Sequence, residues 1–301
     1  MKKKWIAMGA SVGIAAVMLT VSAMSAMAGT SGYDVWKSAF KQTKAAESIS
    51  GQIKWTITDN GTERVKANAV FKKNGEGASA AVALKAGEAE HGLNAYLQDG
   101  KAIVKPSGSD VYYVTEHGKG TRHDGPPWMR DGAKHASDSE FAAGVERVLD
   151  ALAGNLKDRV TLEERADGSK LVSLELSGNQ VPPVAGAIGS LAVRHATSAE
   201  MSWNHVGMDF MLNIPKLTDD IRVEAIRLNA TISPNNDIDE ESVEIRISGK
   251  DEAGNAHNIV VSADIDLYDV NATTPDTVDL NGKQVETKTF DADWHHGHGG
   301  R

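Results

Sequence analysis

The residues best suited to chemistry lie near the C-terminal end of the chain. Asp291, Asp293, His295, His296 and His298 place three imidazoles and two carboxylates within eight residues. Imidazole nitrogens and carboxylate oxygens are ligands for zinc, copper and nickel ions. A short flexible segment can wrap around one such ion, so the sequence predicts weak binding of a divalent metal by this tail. The alternative is a solvated terminus without a ligand, and in both cases we expect the fold to need no cofactor.

A second group of histidines lies in a stretch rich in glycine and proline, residues 116–138. This stretch has no helical or strand periodicity, which in a compact domain is typical of a functional loop or a disordered segment. Its histidines, including His123, lack the H-E-x-x-H spacing that places two imidazoles on one helix face. We instead expect Trp128 to contact a protein partner, because exposed aromatic residues anchor interfaces.

No other motif indicates a catalytic or ion-binding site. The acidic stretch 236–241 lacks the glycine and the ligand spacing of an EF-hand, and we interpret it as a solvated hairpin turn. Signatures of serine hydrolases, P-loop enzymes and dinucleotide-binding folds do not occur in the sequence. The chain has no cysteine, which excludes thiol nucleophiles and disulfides, and its net charge of −9 disfavours nucleic-acid binding. We therefore expect a binding protein that is not an enzyme.

The N-terminus carries the pattern of an export signal. Residues 2–4 are lysines, residues 5–24 form an uncharged, mostly apolar run, and Ala26-Met27-Ala28 offers small residues for cleavage. This order is typical of a secretory signal peptide spanning residues 1–28. A run of about 20 residues is also long enough to span a bilayer. The sequence thus predicts a protein outside the cytoplasm, either released by cleavage or held at the membrane surface by an uncleaved anchor.

Most of the chain shows the hydrophobic pattern of strands joined by tight turns. Apolar and polar residues alternate over residues 53–57, and Asp59-Asn60-Gly61 then gives a strong turn signal. The same alternation returns at residues 226–232, 243–247 and 259–267. Such strands predict a long antiparallel sheet with one apolar face and one polar face.

Three segments show helical features instead. Residues 33–48 follow Ser31 as a candidate N-cap and place Trp36 on an apolar face. A second helix is predicted to begin at Ser137 and a third after Pro182-Pro183. Together with roughly ten strands, these segments predict an α+β fold, in which about three helices cover the concave apolar face of a strongly curled antiparallel sheet, a half-barrel.

The order of these elements resembles the LolA/LppX-like lipoprotein-carrier superfamily, which also includes the periplasmic regulator RseB. The sequence stretches that carry the resemblance are residues 31–36, 50–53, 248–251 and 274–280. The resemblance covers residues 31–285 as one domain and leaves 286–301 as a disordered, histidine-rich tail. It implies an incomplete barrel whose concave apolar face accepts acyl chains or another hydrophobic partner. The chain departs from the family pattern in lacking a lipidation cysteine and in its histidine-bearing insert and tail.

Four apolar side chains, Trp55, Phe71, Leu93 and Leu97, are candidates for the lining of that concave face. The sequence leaves open whether the space over them holds a ligand or is filled as an ordinary core. We predict a lipid or another hydrophobic small molecule as the ligand. The alternative is a regulatory protein that docks an envelope protein through residues 116–138, as the resemblance to RseB implies.

Overall fold

The fold is a broad β-sheet with a helix on one of its faces. The computed structural model describes residues 31–75, 77–116, 157–182 and 214–288. These residues contain the helix α1 (Gly32–Lys44), two short 3₁₀ turns and twelve strands of one sheet. The strands are β1 Ser48–Asp59, β2 Thr62–Asn74, β3 Gly77–Ala86, β4 Ala89–Gln98, β5 Lys101–Pro106, β6 Val111–Glu116, β7 Val160–Glu164, β8 Lys170–Ser177, β9 Asp219–Ile232, β10 Ile238–Lys250, β11 Ala256–Tyr268 and β12 Gln284–Lys288.

The sheet joins two antiparallel meanders at its centre. Its strand order is β12-β6-β5-β4-β3-β2-β1-β11-β10-β9-β8-β7. Strand β1 pairs with β2 on one side and with β11 on the other, so residues early and late in the chain meet in the middle of the sheet. The last strand, β12, pairs with β6 in parallel, whereas the other neighbours pair in antiparallel.

The register of the strands places apolar side chains on one face, which we call the apolar face. Trp55 of β1 stands opposite Ala67 of β2 and Ala263 of β11. The same row continues through Val243 and Leu228, because β10 and β9 keep their apolar residues in phase with β11. The opposite face carries the polar partners of these residues, as the alternation in sequence predicts.

The helix α1 covers the apolar face at the β7–β10 end of the sheet. It begins after Ser31, whose hydroxyl accepts a hydrogen bond from the Asp34 N–H at 3.3 Å. Its buried side chains Trp36 and Ala39 pack in one cluster with residues of β8 and β9. The helix predicted at 33–48 is therefore confirmed, but it ends four residues earlier because β1 begins at Ser48.

The predicted number of helices is tested only in part, whereas the predicted strong curl of the sheet needs correction. In the described ranges α1 is the one α-helix, and the helices predicted to begin at Ser137 and after Pro182-Pro183 lie outside them, apart from Pro182. The strongly curled half-barrel is replaced by an open sheet, whose described edge strands β12 and β7 do not pair with each other. Bulges, which bend strands, occur among the described strand pairs between β1 and β2 and between β9 and β10, and the other pairs keep a regular register.

Residues 269–283, which we call the strap, run across the polar face and deliver β12 to the far edge. Side chains of four successive strands hold the strap in place. Ser50 Oγ is hydrogen-bonded to Thr273 Oγ1 (2.9 Å), and Lys72 Nζ donates to Asp276 Oδ1 (2.8 Å). Ser79 Oγ accepts from the Asp276 N–H (2.9 Å), and Gln98 Oε1 accepts from the Val278 N–H (2.8 Å). β12 then extends to Lys288, past residue 285 where the sequence placed the end of the domain.

None of the helices in the described ranges is both long and apolar enough to cross a membrane. The predicted signal peptide or anchor, residues 1–28, lies outside these ranges. Export therefore stays a prediction from sequence.

Candidate hydrophobic ligand site

The four side chains predicted to line a ligand site share the apolar face of the sheet. Phe71 of β2 and Trp55 of β1 both lie on this face. The cross-strand row of Ala69 lies between the row of Phe71 and the row of Trp55. Leu93 and Leu97 of β4 reach the same face, because Leu93 pairs with Val82 of β3, which in turn pairs with Ala69. The structure thus brings together residues from three strands, while their role in binding stays a prediction.

Small side chains separate these larger ones. The register places Ala69 and Ala80 on neighbouring strands of the apolar face, and Ala95 follows Ala80 on the next strand. Ala67 lies two residues before Ala69 on the same face. We call Ala67, Ala69, Ala80 and Ala95 the alanine patch. Ala95 is buried, at 1% exposed, whereas Ala67, Ala69 and Ala80 are half-buried, so the methyl groups of these three stay partly accessible above the sheet.

The ring of Phe71 leans away from the alanine patch and covers a glycine in β1. A Cβ atom on Gly51 would lie 2.6 Å from Cζ and 2.7 Å from Cε1 of Phe71, and 2.8 Å from a methyl group of Leu267. Only glycine allows this close approach without a shift of the neighbours. Since Gly51 and Ala80 flank Phe71 on opposite sides, the ring lies over β1 and not over Ala80.

Trp55 brings one polar atom to this apolar surface. Its indole nitrogen is buried and has no hydrogen-bond partner among the residues that the structure describes. Its neighbours along the strand on this face are Ile53 and Ile57, and its cross-strand neighbours are Ala67 and Ala263. None of these side chains can accept a hydrogen bond, so the acceptor that this donor lacks cannot come from its nearest neighbours on the sheet.

Glu241 of β10 is a buried ionisable residue that the sequence interpretation missed. The stretch 236–241 was expected to be a solvated turn, but the turn ends at Asp237 and Glu241 lies in β10, 8% exposed. It stands on the apolar face opposite Ala230 and Ile265. Burial raises its pKa to about 7, and the indole of Trp36 in α1 acts in the opposite direction. The alternation of inward-facing residues that includes Val243 could have been extended two residues towards the N-terminus. It would then have placed Glu241 on the apolar face.

Two predicted sites fall on residues that the structure does not describe. The candidate metal ligands Asp291, Asp293, His295, His296 and His298 lie beyond residue 288, and His123 and Trp128 lie between residues 117 and 156. Metal binding by the tail and protein docking by the loop therefore stay predictions. Among the residues that the structure does describe, no group of three or more His, Asp or Glu side chains is arranged to hold a metal ion.

No protein-family profile and no curated protein matches the sequence. Among solved structures, the chain is similar to the LolA superfamily protein NE2245 from Nitrosomonas europaea, with 9% identity, a TM-score of 0.23, and coverage of 84% of this chain and 97% of the other. It is also similar to Rv2717c from M. tuberculosis, with 10% identity, a TM-score of 0.20, and coverage of 75% and 94%. A third similar structure, of lipovitellin and its lipid–protein interactions, has 8% identity and a TM-score of 0.25, with coverage of 77% of this chain and 26% of the other.

One of these structures is described as a LolA superfamily protein, the superfamily that the order of elements resembles. TM-scores of this size carry no argument about fold or function. What the site can do is therefore argued from its own residues.

Proposed function

We propose that this protein binds a hydrophobic small molecule, such as an acyl chain, on the apolar face of its sheet, and that it does so outside the cytoplasm. The observation that carries the proposal is the register that gathers Trp55, Phe71, Leu93 and Leu97 around the alanine patch. Apolar walls with a few placed polar groups are the usual lining of small-molecule sites. The proposal requires no catalytic residue and no metal.

The dimensions of the alanine patch suit a narrow apolar chain. Its residues span β2, β3 and β4, and neighbouring strands lie about 4.8 Å apart, so the patch is about 10 Å wide. Phe71 borders it on the side of β1, and Leu97 borders it on the side of β4. A ligand that covers these methyl groups gains about 25 cal/mol for each Å² of apolar surface removed from water.

We infer that the ligand also carries a hydrogen-bond acceptor, which reaches the buried indole N–H of Trp55 when the side chains over that atom move aside. A buried N–H without a partner costs about 1–3 kcal/mol, and a carbonyl or carboxylate oxygen of the ligand would remove this cost. A fatty acid or an acyl ester has such an oxygen at one end of its chain. We therefore assign the ligand to the amphiphiles that combine an apolar chain with an oxygen acceptor.

Titration of the full chain with a fluorescent fatty acid tests this function. Ala80→Phe fills the space above the patch, and we expect it to weaken binding about tenfold, equal to about 1.4 kcal/mol. Ala81→Phe is the matched control, because Ala81 is exposed on the opposite face and its substitution leaves the patch unchanged. Equal loss in both variants, or no binding by the unmodified protein together with no lipid in its native mass spectrum, would overturn the proposal.

Trp55→Phe tests the acceptor separately, since it keeps an aromatic ring and removes the donor. Loss of one hydrogen bond of about 1 kcal/mol lowers the affinity for a fatty-acid probe about fivefold. A probe with the same chain but no oxygen should bind the variant and the unmodified protein equally. If both probes weaken to the same degree, Trp55 contributes packing alone.

A further inference from the structure

A histidine at one end of the sheet lies between two carboxylates. His257 of β11 places its Nδ1 atom 3.0 Å from Asp59 Oδ1 and its Nε2 atom 3.3 Å from Asp251 Oδ2. A neutral imidazole has one N–H and can donate to only one of these oxygens, whereas the imidazolium donates to both. The geometry therefore suits the protonated ring.

Asp59, the last residue of β1, is the inner partner of this histidine. Its side chain is 1% exposed, and its second oxygen lies 3.1 Å from a guanidinium nitrogen of Arg64 in β2. A buried carboxylate is strongly destabilising unless it is paired. Arg64 and protonated His257 together surround Asp59 with two positive charges, and loss of the His257 proton leaves one.

Asp251, the outer partner, begins the loop 251–255 between β10 and β11. Its carboxylate accepts hydrogen bonds from the N–H of Asn255 at 2.8 Å and from the Asn255 side chain at 2.9 Å. These bonds are the larger cause that lowers the pKa of Asp251 to about 2, and His257 lowers it further. The loop is thus closed on itself, and the His257 contact ties it to the end of β1 across 198 residues of sequence.

The two carboxylates and His257 form part of the wall of a surface cavity of about 440 Å³. The other charged residues in this wall are Arg64, Lys216 and Glu252. Because Asp251 and Glu252 belong to the loop and the remaining groups belong to β1, β2, β11 and the segment before β9, the position of the loop sets the width of the cavity.

We propose that His257 is a proton-operated latch that holds the loop 251–255 against the end of β1 and so keeps this cavity narrow. With the ring protonated, both hydrogen bonds are present and the loop is held. When the ring loses the Nε2 proton, it keeps the shorter bond to the buried Asp59 and loses the bond to Asp251, and the loop is released. The latch depends on contacts at the end of the sheet and is independent of ligand binding on the alanine patch.

The direction of the pH dependence follows from the surroundings of His257. Burial lowers its pKa, but the hydrogen bonds and charges of Asp59 and Asp251 outweigh burial and raise the pKa above its ordinary value. A histidine with a raised pKa stabilises the folded contact fully below about pH 6.5, its unfolded value. The latch is therefore held in mildly acidic solution and is released as the pH rises through the raised pKa.

Hydrogen exchange of the loop amides in the full chain tests the latch. After correction for intrinsic rates, we expect protection of the Asn255 amide, whose acceptor is the Asp251 carboxylate, to fall about tenfold between pH 5.5 and pH 9. In His257→Gln, protection of this amide should be low and independent of pH. The Asn236 amide, which donates to Ser233 O in a turn between β9 and β10, is the internal control. Its protection should not show this dependence on pH or on His257.

Nitrogen NMR of the unmodified protein gives a second test that needs no variant. At pH 6 we expect both ring nitrogens of His257 to carry protons. A neutral ring at that pH would overturn the proposal, as would loop protection with the same pH profile in the unmodified protein and in His257→Gln.

Discussion

The indole of Trp36 in α1 lies against the carboxyl group of Glu241 in β10, in the apolar layer between the helix and the sheet. The indole N–H is buried and does not reach the geometry of a full hydrogen bond, and it offsets only part of the effect of burial on the carboxyl group. No charged residue is among the causes that set the pKa of Glu241. Within the described part of the chain, the helix therefore covers an ionisable group that has no opposite charge beside it.

Glu241→Gln should stabilise the protein in alkaline solution. The folded-state pKa of Glu241 is about 7, above the ordinary value of 4.5, so the stability of the unmodified protein falls as the pH rises from about 4.5 through 7. The difference between these values corresponds to about 3 kcal/mol once the group is ionised. Urea unfolding at pH 9 should show a gain of this order in the variant, and at pH 4.5 the gain should be close to zero.

Glu240→Gln is the matched control for that measurement. Glu240 is exposed and lies on the polar face, opposite Asp266 of β11. Its substitution should change the free energy of unfolding similarly at both pH values. A gain at pH 9 that is equal in the two variants would show that the general reduction of negative charge, and not burial of Glu241, is responsible.

Thr43→Val should loosen α1 from the sheet. The Thr43 hydroxyl donates to Ala39 O at 2.9 Å and accepts from the Ile238 N–H at 2.8 Å, which joins the last turn of the helix to the start of β10. Valine keeps the shape but leaves a buried N–H without an acceptor, at a cost of about 1–3 kcal/mol. Urea unfolding measures this loss, and Thr43→Ser, which retains the hydroxyl, should lose less. Equal losses would assign the effect to the lost methyl group or to shape.

The sequence allowed prediction of those features that depend on local patterns. Alternation with a period of two placed Trp55 and Phe71 on one face, and the structure confirms that they share it. The N-cap Ser31 marked the start of α1 to within two residues. These features follow from backbone geometry over a few neighbouring residues, which is the information that a single sequence contains.

Features that depend on distant parts of the chain were not predicted. Asp59 and His257 meet only because β1 pairs with β11, and no local pattern specifies which strand becomes the neighbour of β1. The strap and the parallel pairing of β12 with β6 depend in the same way on contacts across the sheet. Glu241 was missed because acidic residues are usually exposed, and its burial under Trp36 is set by the packing of α1.

Gln98→Glu should detach the strap from β4. The Gln98 side chain accepts from the Val278 N–H at 2.8 Å and donates to Val278 O at 2.9 Å, so that it binds both backbone groups of one residue. Glutamate keeps the acceptor but loses the donor, and its charge is repelled by the carbonyl oxygen. We expect a loss of about 1–2 kcal/mol on urea unfolding and faster proteolysis within residues 279–283. Asn94→Asp, on the same face of β4, should produce neither effect.

Gly51→Ala should link the position of the Phe71 ring to ligand binding. The new methyl group would overlap the ends of the Phe71 and Leu267 side chains, which can move at a cost of about 1–2 kcal/mol. Since Gly51 and Ala80 flank Phe71, the ring should shift from β1 towards the alanine patch. This shift should lower the affinity for a fluorescent fatty acid about tenfold. Gly51→Ala combined with Phe71→Ala removes the ring, and its affinity should equal that of Phe71→Ala alone, because the new methyl group then has no ring to displace. If the ring shifts in a crystal structure of Gly51→Ala while affinity stays the same, the ligand does not occupy the space above Ala80.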